Sequence, residues 1–202
     1  KIDLVATARL VKNGLVMWLN DGKGGFTPIP ATWRDPGYVA LAAGDINGDG
    51  YPDIVAVSHF ARIHTLLSDG KGGFTDKLMQ TPDGWVAVSL ADVNGDGKLD
   101  MIALGFVKTG LEIYLGDGAG NWKLQQKLPD PRPSPVLAGQ DLAVGDLNGD
   151  GHVDIVVSFQ NWGMYILFGD GKGSFKGSNV KLVDSTKPFR TIILADVNKD
   201  GH

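Results

Sequence analysis

Hydrophobic positions along the chain fall into short runs rather than helical stripes. Stretches rich in β-branched residues, such as Asp53-Ile-Val-Ala-Val and Asp154-Ile-Val-Val-Ser, are followed by alternating segments, Leu111-Glu-Ile-Tyr-Leu and Gly163-Met-Tyr-Ile-Leu, that end at Asp-Gly pairs. Asp-Gly supplies the positive φ that a tight hairpin needs. A third, weaker stretch comes next. A strand of small residues, as in Val86-Ala-Val-Ser-Leu-Ala, then leads into an acidic loop. No segment sustains a helical period. Four short strands in about 50 residues, repeated, predict an all-β chain: a β-propeller of four-stranded antiparallel blades. Alanine and glycine just before each loop suit the crowded innermost strand.

The repeat is carried by two motifs in register. GDINGDGYPDIV begins at Gly44, ADVNGDGKLDMI at Ala91, GDLNGDGHVDIV at Gly145 and ADVNKDGH at Ala195. Their first aspartates, Asp45, Asp92, Asp146 and Asp196, stand 47, 54 and 50 residues apart. In step with them run NDGKGGF from Asn20, SDGKGGF from Ser68, GDGAGNW from Gly116 and GDGKGSF from Gly169. The units divide approximately as 1–50, 51–97, 98–151 and 152–202 within a single domain. Lys1-Ile-Asp-Leu-Val matches the second half of the acidic motif, and His202 stops where Lys1 begins. Two arrangements follow: the ends meet and close a small ring, or the chain is part of a larger one, completed by another copy or by further blades.

Each acidic loop gathers oxygen donors on alternate residues. In the first these are Asp45, Asn47, Asp49 and Asp53, with the carbonyl of Tyr51; Gly48 and Gly50 permit the sharp turn. Asp92, Asn94, Asp96, Lys98 and Asp100 repeat the set, as do Asp146, Asn148, Asp150, His152 and Asp154. The last loop offers Asp196, Asn198, Asp200 and His202 and takes its ninth residue from Asp3 if the ends meet. Hard oxygen donors in this number suit Ca2+; zinc wants His or Cys, and magnesium keeps its waters. Three complete calcium sites and a fourth split one are therefore expected. The EF-hand is excluded, because its twelfth position holds Ala56, Ala103 and Val157 rather than Glu.

Composition agrees. Of the acidic residues 22 are Asp and one is Glu, Glu112, a bias that fits short carboxylates in turns or on a metal. Net charge is −4 with no basic run, which argues against nucleic acid. No apolar run approaches the roughly 18 residues of a membrane span. Cysteine is absent, so there is neither a disulfide framework nor a thiol site.

The D-x-N-x-D-G-x-x-D loop followed by a DGxGxF turn resembles the FG-GAP and VCBS repeats, over essentially the whole chain. These occur in integrin α-subunit heads, in propeller lectins and beside secreted bacterial enzymes. The resemblance implies a calcium-binding propeller, commonly of seven blades. Lys199 departs from the pattern, standing where the other loops have Gly.

In a four-stranded meander the acidic loop and the Asp-Gly turn lie on one face, and the loops that vary lie on the other. That second face is expected to carry His59, Phe60, Phe106, Gln160, Asn161 and Trp162. Tyr38, Trp85 and Phe189, seven residues before their aspartates, join it with Arg190. Aromatics beside amide and cationic groups stack sugars or grip a protein loop. Trp18, Phe26, Phe74, Trp122 and Phe175 are assigned instead to packing between blades. Aromatics that recur from blade to blade favour a glycan as partner over an extracellular protein.

Catalytic constellations are thin. Outside the two motifs only Asp35, Asp76, Asp83, Asp130, Asp141 and Asp184 remain for acid–base work, and Ser58 beside His59 lacks the partners of a triad. The expectation is a secreted, non-catalytic, lectin-like module. An adhesion module or the accessory propeller of a polysaccharide-degrading enzyme are the alternatives. Sites of the ~0.1–1 mM affinity common outside cells stay empty at cytosolic calcium, which favours an extracellular location.

Overall fold

The structure is a computed structural model that describes residues 2–8, 14–29, 37–106, 109–129, 139–159, 163–178 and 189–199. Its regular structure is entirely β, in antiparallel sheets of consecutive strands. The first sheet holds β1 (Leu4–Thr7), β2 (Leu15–Asn20) and β3 (Phe26–Ile29). The second runs β4 (Tyr38–Gly44), β5 (Asp53–Ser58), β6 (Arg62–Ser68) and β7 (Phe74–Gln80). The third repeats it with β8 (Trp85–Ala91), β9 (Asp100–Gly105), β10 (Leu111–Gly116) and β11 (Trp122–Leu128). The fourth is β12 (Gly139–Gly145), β13 (Asp154–Phe159), β14 (Gly163–Gly169) and β15 (Phe175–Gly177). These are propeller-like blades, and the inner strands β4, β8 and β12 pack side by side.

Strand position within a blade explains the sequence pattern. The second strands β5, β9 and β13 are buried at all six positions, so they read as largely apolar runs. The outermost strands β7 and β11 have no buried position and carry lysines that blunt a free edge. Lys77 also reaches the next blade, donating from Nζ to the Ala119 carbonyl (2.6 Å) and to Asn121 Oδ1 (3.2 Å).

The core lies between blades. Leu15, Met17, Tyr38 and Ile54 fill the space between the first and second sheets. Val57, Ile63, Trp85 and Met101 do so between the second and third, and Ile102, Ile113, Leu142 and Ile155 between the third and fourth. The packing aromatics follow suit. Phe175 is buried, and Phe74 and Trp122 lie half-buried against these clusters. Trp122 Nε1 donates to Thr65 Oγ1 on the preceding blade (2.7 Å). Phe26 differs, at 44% exposure, because none of the described strands precedes the first sheet.

Third strands carry one position, buried at His64 and Glu112 and half-buried at Val16 and Tyr165, whose chemistry changes from blade to blade. His64 Nδ1 pairs with Asp76 (2.9 Å). Glu112 takes Lys127 Nζ at 2.5 Å and accepts the Tyr114 hydroxyl. Burial, together with the adjacent Glu112 carboxylate, raises the Tyr114 phenol well above its ordinary range. No helix among the described residues is long and apolar enough to cross a membrane.

Candidate functional site

The acidic loops join first to second strands, β4 to β5, β8 to β9 and β12 to β13, on the same side as the Asp-Gly turns. Their glycines take the left-handed backbone that the turn requires; Gly48, Gly95 and Gly149 have φ of 73°, 74° and 76°. Lys199, in the same place, adopts φ 58°.

The carboxylates of each loop organise its own amides. Asp45 accepts from Asp49 N (3.1 Å) and Gly50 N (2.9 Å), and Asp49 accepts from Tyr51 N (2.9 Å). Asn47 Oδ1 shares the Asp49 amide (3.0 Å). Asp92, Asn94 and Asp96 reproduce this around Gly97 N and Lys98 N. Asp146, Asn148 and Asp150 do so around Gly151 N and His152 N. The Asp146 carboxyl is held below the usual range, chiefly by the Gly151 amide.

The ninth residue behaves differently. Asp53, Asp100 and Asp154 have no exposed surface, and each ties two loops together. Asp53 accepts from Ile46 N (3.0 Å) and Ser68 N (2.7 Å). Asp100 accepts from Val93 N (2.9 Å) and Gly116 N (2.9 Å), and Asp154 from Leu147 N (2.9 Å) and Gly169 N (2.9 Å). Burial pushes the Asp53 and Asp100 carboxyls up against the pull of these amides, helped by the charges of Asp49 and of Asp96 with Asp92. Asp3 makes the corresponding bond from Asn20 N (2.8 Å) but stands exposed.

Tyr51, Lys98 and His152 have a second role that the sequence pattern hides. Their side chains cover the turn glycines Gly70, Gly118 and Gly171, where a Cβ would meet the Tyr51 ring, the Lys98 stem or the His152 ring. The Asp-Gly turn itself is a five-residue loop rather than the tight hairpin expected. Asp69 Oδ1 accepts from Lys71 N and Gly73 N (2.8 and 2.9 Å), and Asp21, Asp117 and Asp170 do the same.

Among the described residues no three Asp, Glu or His side chains converge on a common point. The donor set nonetheless fits a hard cation. The oxygens of Asp53, Asp100 and Asp154 each accept one N–H in the bonds described above and keep a second lone pair, and like charges crowd Asp53 and Asp100. Asp196 and Asn198 follow the 189–195 segment as expected; Asp200 and His202 lie outside the described residues.

On the opposite face the structure brings His59 and Phe106 together, ring centroids 4.3 Å apart and edge to face. They line a recess of about 270 Å³ with Thr7, Val39, Val86 and Gln140, so all four sheets contribute. Phe106 N donates to the Gly84 carbonyl (2.8 Å), and His59 N to that of Gly37 (3.1 Å), which fixes both loops. Phe60 is 54% exposed beside them. Gln140 and Thr7 were missed because neither belongs to a repeated motif.

Two of the expected rim aromatics are corrected. Tyr38 and Trp85 have no exposed surface. Tyr38 sets an edge against His64, backing the recess from within, and Trp85 packs on Tyr114 with its Nε1 on Thr81 Oγ1 (2.9 Å). A register shift between Tyr38 and Ala40, and another between Trp85 and Ala87, accompanies this inward placement. Phe189 is half-buried and Arg190 exposed, whereas Gln160, Asn161 and Trp162 lie outside the described residues. Of the carboxylates left for acid–base work, Asp76 serves His64 and Asp141 accepts from Ile192 N (2.9 Å).

No curated protein matches the chain. The FG-GAP-like repeat pattern matches residues 1–56, 45–103, 94–157 and 146–202, each span beginning and ending near an acidic loop. Four copies in step with the strands and loops described here place this chain in the FG-GAP-like repeat family.

Proposed function

We propose that the chain is a calcium-stabilised, non-catalytic recognition module that works outside the cell and binds a carbohydrate through the face opposite the acidic loops. One observation carries the ligand site: the recess lined by His59, Phe106, Thr7 and Gln140. At about 270 Å³ it lies just below the ~300–1,000 Å³ of common small-molecule sites, a size that suits one sugar residue better than a flat protein patch. An aromatic edge, an amide and a hydroxyl in one concavity are groups that stack a sugar and bond its hydroxyls. With Tyr38 and Trp85 buried, recurrence between blades no longer supports repeated sites, and the reading narrows to one axial site.

Calcium would be held by Asp45, Asn47, Asp49 and Asp53 and by their counterparts in the next two loops. Its task is structural: it neutralises the crowded carboxylates. At tenfold excess over its dissociation constant each ion adds about 1.4 kcal/mol, so three contribute about 4 kcal/mol. A thermal melt unchanged by calcium would remove this part of the reading.

A second reading, adhesion to an extracellular protein, is favoured by the exposed aromatics Phe60 (54%) and Phe106 (37%). A glycan array in ~2 mM calcium, repeated in excess chelator, separates the two. Calcium-dependent binding to one coherent sugar family, lost in His59→Ala and Phe106→Ala, is expected. A blank array with folded, calcium-loaded protein sinks the lectin reading and leaves the adhesive one.

A further inference from the structure

The three acidic loops share one tetrapeptide, Asn-Gly-Asp-Gly, starting at Asn47, Asn94 and Asn148, each after a bulky aliphatic residue, Ile46, Val93 or Leu147. Asparagine followed by glycine is a thermolabile pair. The glycine has no Cβ to hinder its own nitrogen from attacking the asparagine side-chain carbonyl. Because the neighbours are the same, the three sites start with the same intrinsic reactivity, and any difference between them comes from the fold. Asn198 stands apart, since Lys199 follows it.

The loops differ at the attacking nitrogen. In the second, Gly95 N donates to Asp92 Oδ1 (2.7 Å), and in the third Gly149 N donates to Asp146 Oδ1 (2.7 Å). In the first, Asp45 accepts from Asp49 N and Gly50 N, and the Gly48 amide takes no part. A short bond to a carboxylate is among the stronger ones, and it must break before the nitrogen can give up its proton. Gly48 is exposed, and a Cβ placed on it would meet nothing within 4 Å, so ring formation there is uncrowded.

The asparagine side chains do not rank the sites. Oδ1 of Asn47, Asn94 and Asn148 accepts from the amide two residues on at 3.0, 3.0 and 2.9 Å. Nδ2 of Asn47 and of Asn148 donates to the following aspartate at the same 2.9 Å. The freedom of the Gly48 amide is what separates the first loop from the third.

We infer that Asn47 is a modification site, deamidating spontaneously in the folded protein while Asn94 and Asn148 are protected. Gly48 N loses its proton to solvent and attacks Asn47 Cγ. The new C–N bond closes a succinimide ring, the Cγ–Nδ2 bond breaks, and the departing nitrogen takes up a proton and leaves as ammonia. Water then opens the ring at either carbonyl and leaves aspartate or isoaspartate. One water is consumed, one ammonia is released, and nothing is oxidised or reduced. Both products add a carboxylate to the loop of Asp45, Asp49 and Asp53. Isoaspartate also lengthens the main chain within the span that Asp53 ties back to Ile46 N (3.0 Å). Ageing therefore alters the first loop and spares the next two.

The test is peptide mapping by mass spectrometry of the whole chain, aged at mildly alkaline pH and shown folded by circular dichroism. Asn47 is expected to convert faster than Asn94 and Asn148, by up to about tenfold, with Asn198 slowest of the four. In urea the rates at the three Asn-Gly pairs are expected to converge. Asp92→Asn, which weakens the hold on Gly95 N, is expected to speed conversion at Asn94 and leave Asn47 unchanged. No conversion at Asn47, or equal rates at the three sites in the folded chain, overturns the proposal. So does a ranking that persists in urea, which would trace it to sequence rather than to the Gly48 amide.

Discussion

The two faces of the blades are built by different rules. On the acidic-loop face the same hydrogen bonds recur with nearly the same lengths in the second, third and fourth sheets, and almost all of them run from a backbone amide to a carboxylate. On the other face the second sheet presents His59 where the third presents Phe106, and these two loops are fixed by backbone bonds between carbonyls and amides. A face addressed through backbone repeats because every blade needs it. A face addressed through side chains varies, and specificity has room there.

The sharpest way to break this comparison is to damage each face equally. Asp100→Ala strands two buried amides and is expected to cost about 2–5 kcal/mol in chemical denaturation. His59→Ala, on the other face, is expected to cost about 1 kcal/mol or less. Equal losses would mean that the variable face is also structural.

A smaller effect separates variability from exposure. Glu112 is variable between blades yet buried, and Glu112→Gln, which keeps an acceptor for Tyr114 but drops the charge facing Lys127, is expected to cost about 1–2 kcal/mol. A neutral outcome by the same denaturation assay would place Glu112 with the tolerant positions.

Within the uniform face, Lys199 is the exception to the glycine rule. Lys199→Gly relieves a left-handed backbone and is expected to stabilise by up to about 1 kcal/mol, read as a raised midpoint.

The smallest effect is electrostatic. The Lys71 and Gly73 amides hold Asp69 below its ordinary value, and the Asn121 side chain and amide do so for Asp117. A carboxyl lowered on folding contributes stability that is present above its unfolded pKa and is lost as pH falls through the folded one. Carbon-detected titration is expected to show both below the ordinary aspartate value, with a modest loss of stability confined to the acid limb. Midpoints at the ordinary value would show that the turns gain nothing from these amides.

Strand order, the four repeats and the place of both motifs were legible in the sequence, because a doubled repeat leaves no other register for them. The inward placement of Tyr38 and Trp85 was not. An alternating pattern assigns faces by counting in twos, and the irregularity one residue into β4 and β8 upsets the count. The partnership of His59 with Phe106 was half legible: their loops were placed on one face, but the contact between two blades depends on how closely Gly84 lets the His59 backbone approach. The covering of Gly70 by Tyr51 had a signal that went unused, a bulky residue always two before the ninth aspartate.

The buried aspartate ties have a consequence for how such a molecule changes over generations. Because Asp53, Asp100 and Asp154 address main-chain amides, the residue that opens each turn is free to be Ser68, Gly116 or Gly169, and in the first sheet Asn20. Most of the contacts that make a blade are internal to it or are offered alike to whichever blade comes next. Duplicating or deleting one unit in the gene leaves those bonds in place. Length in this architecture is therefore cheap to alter, while the identity of the ninth residue is not.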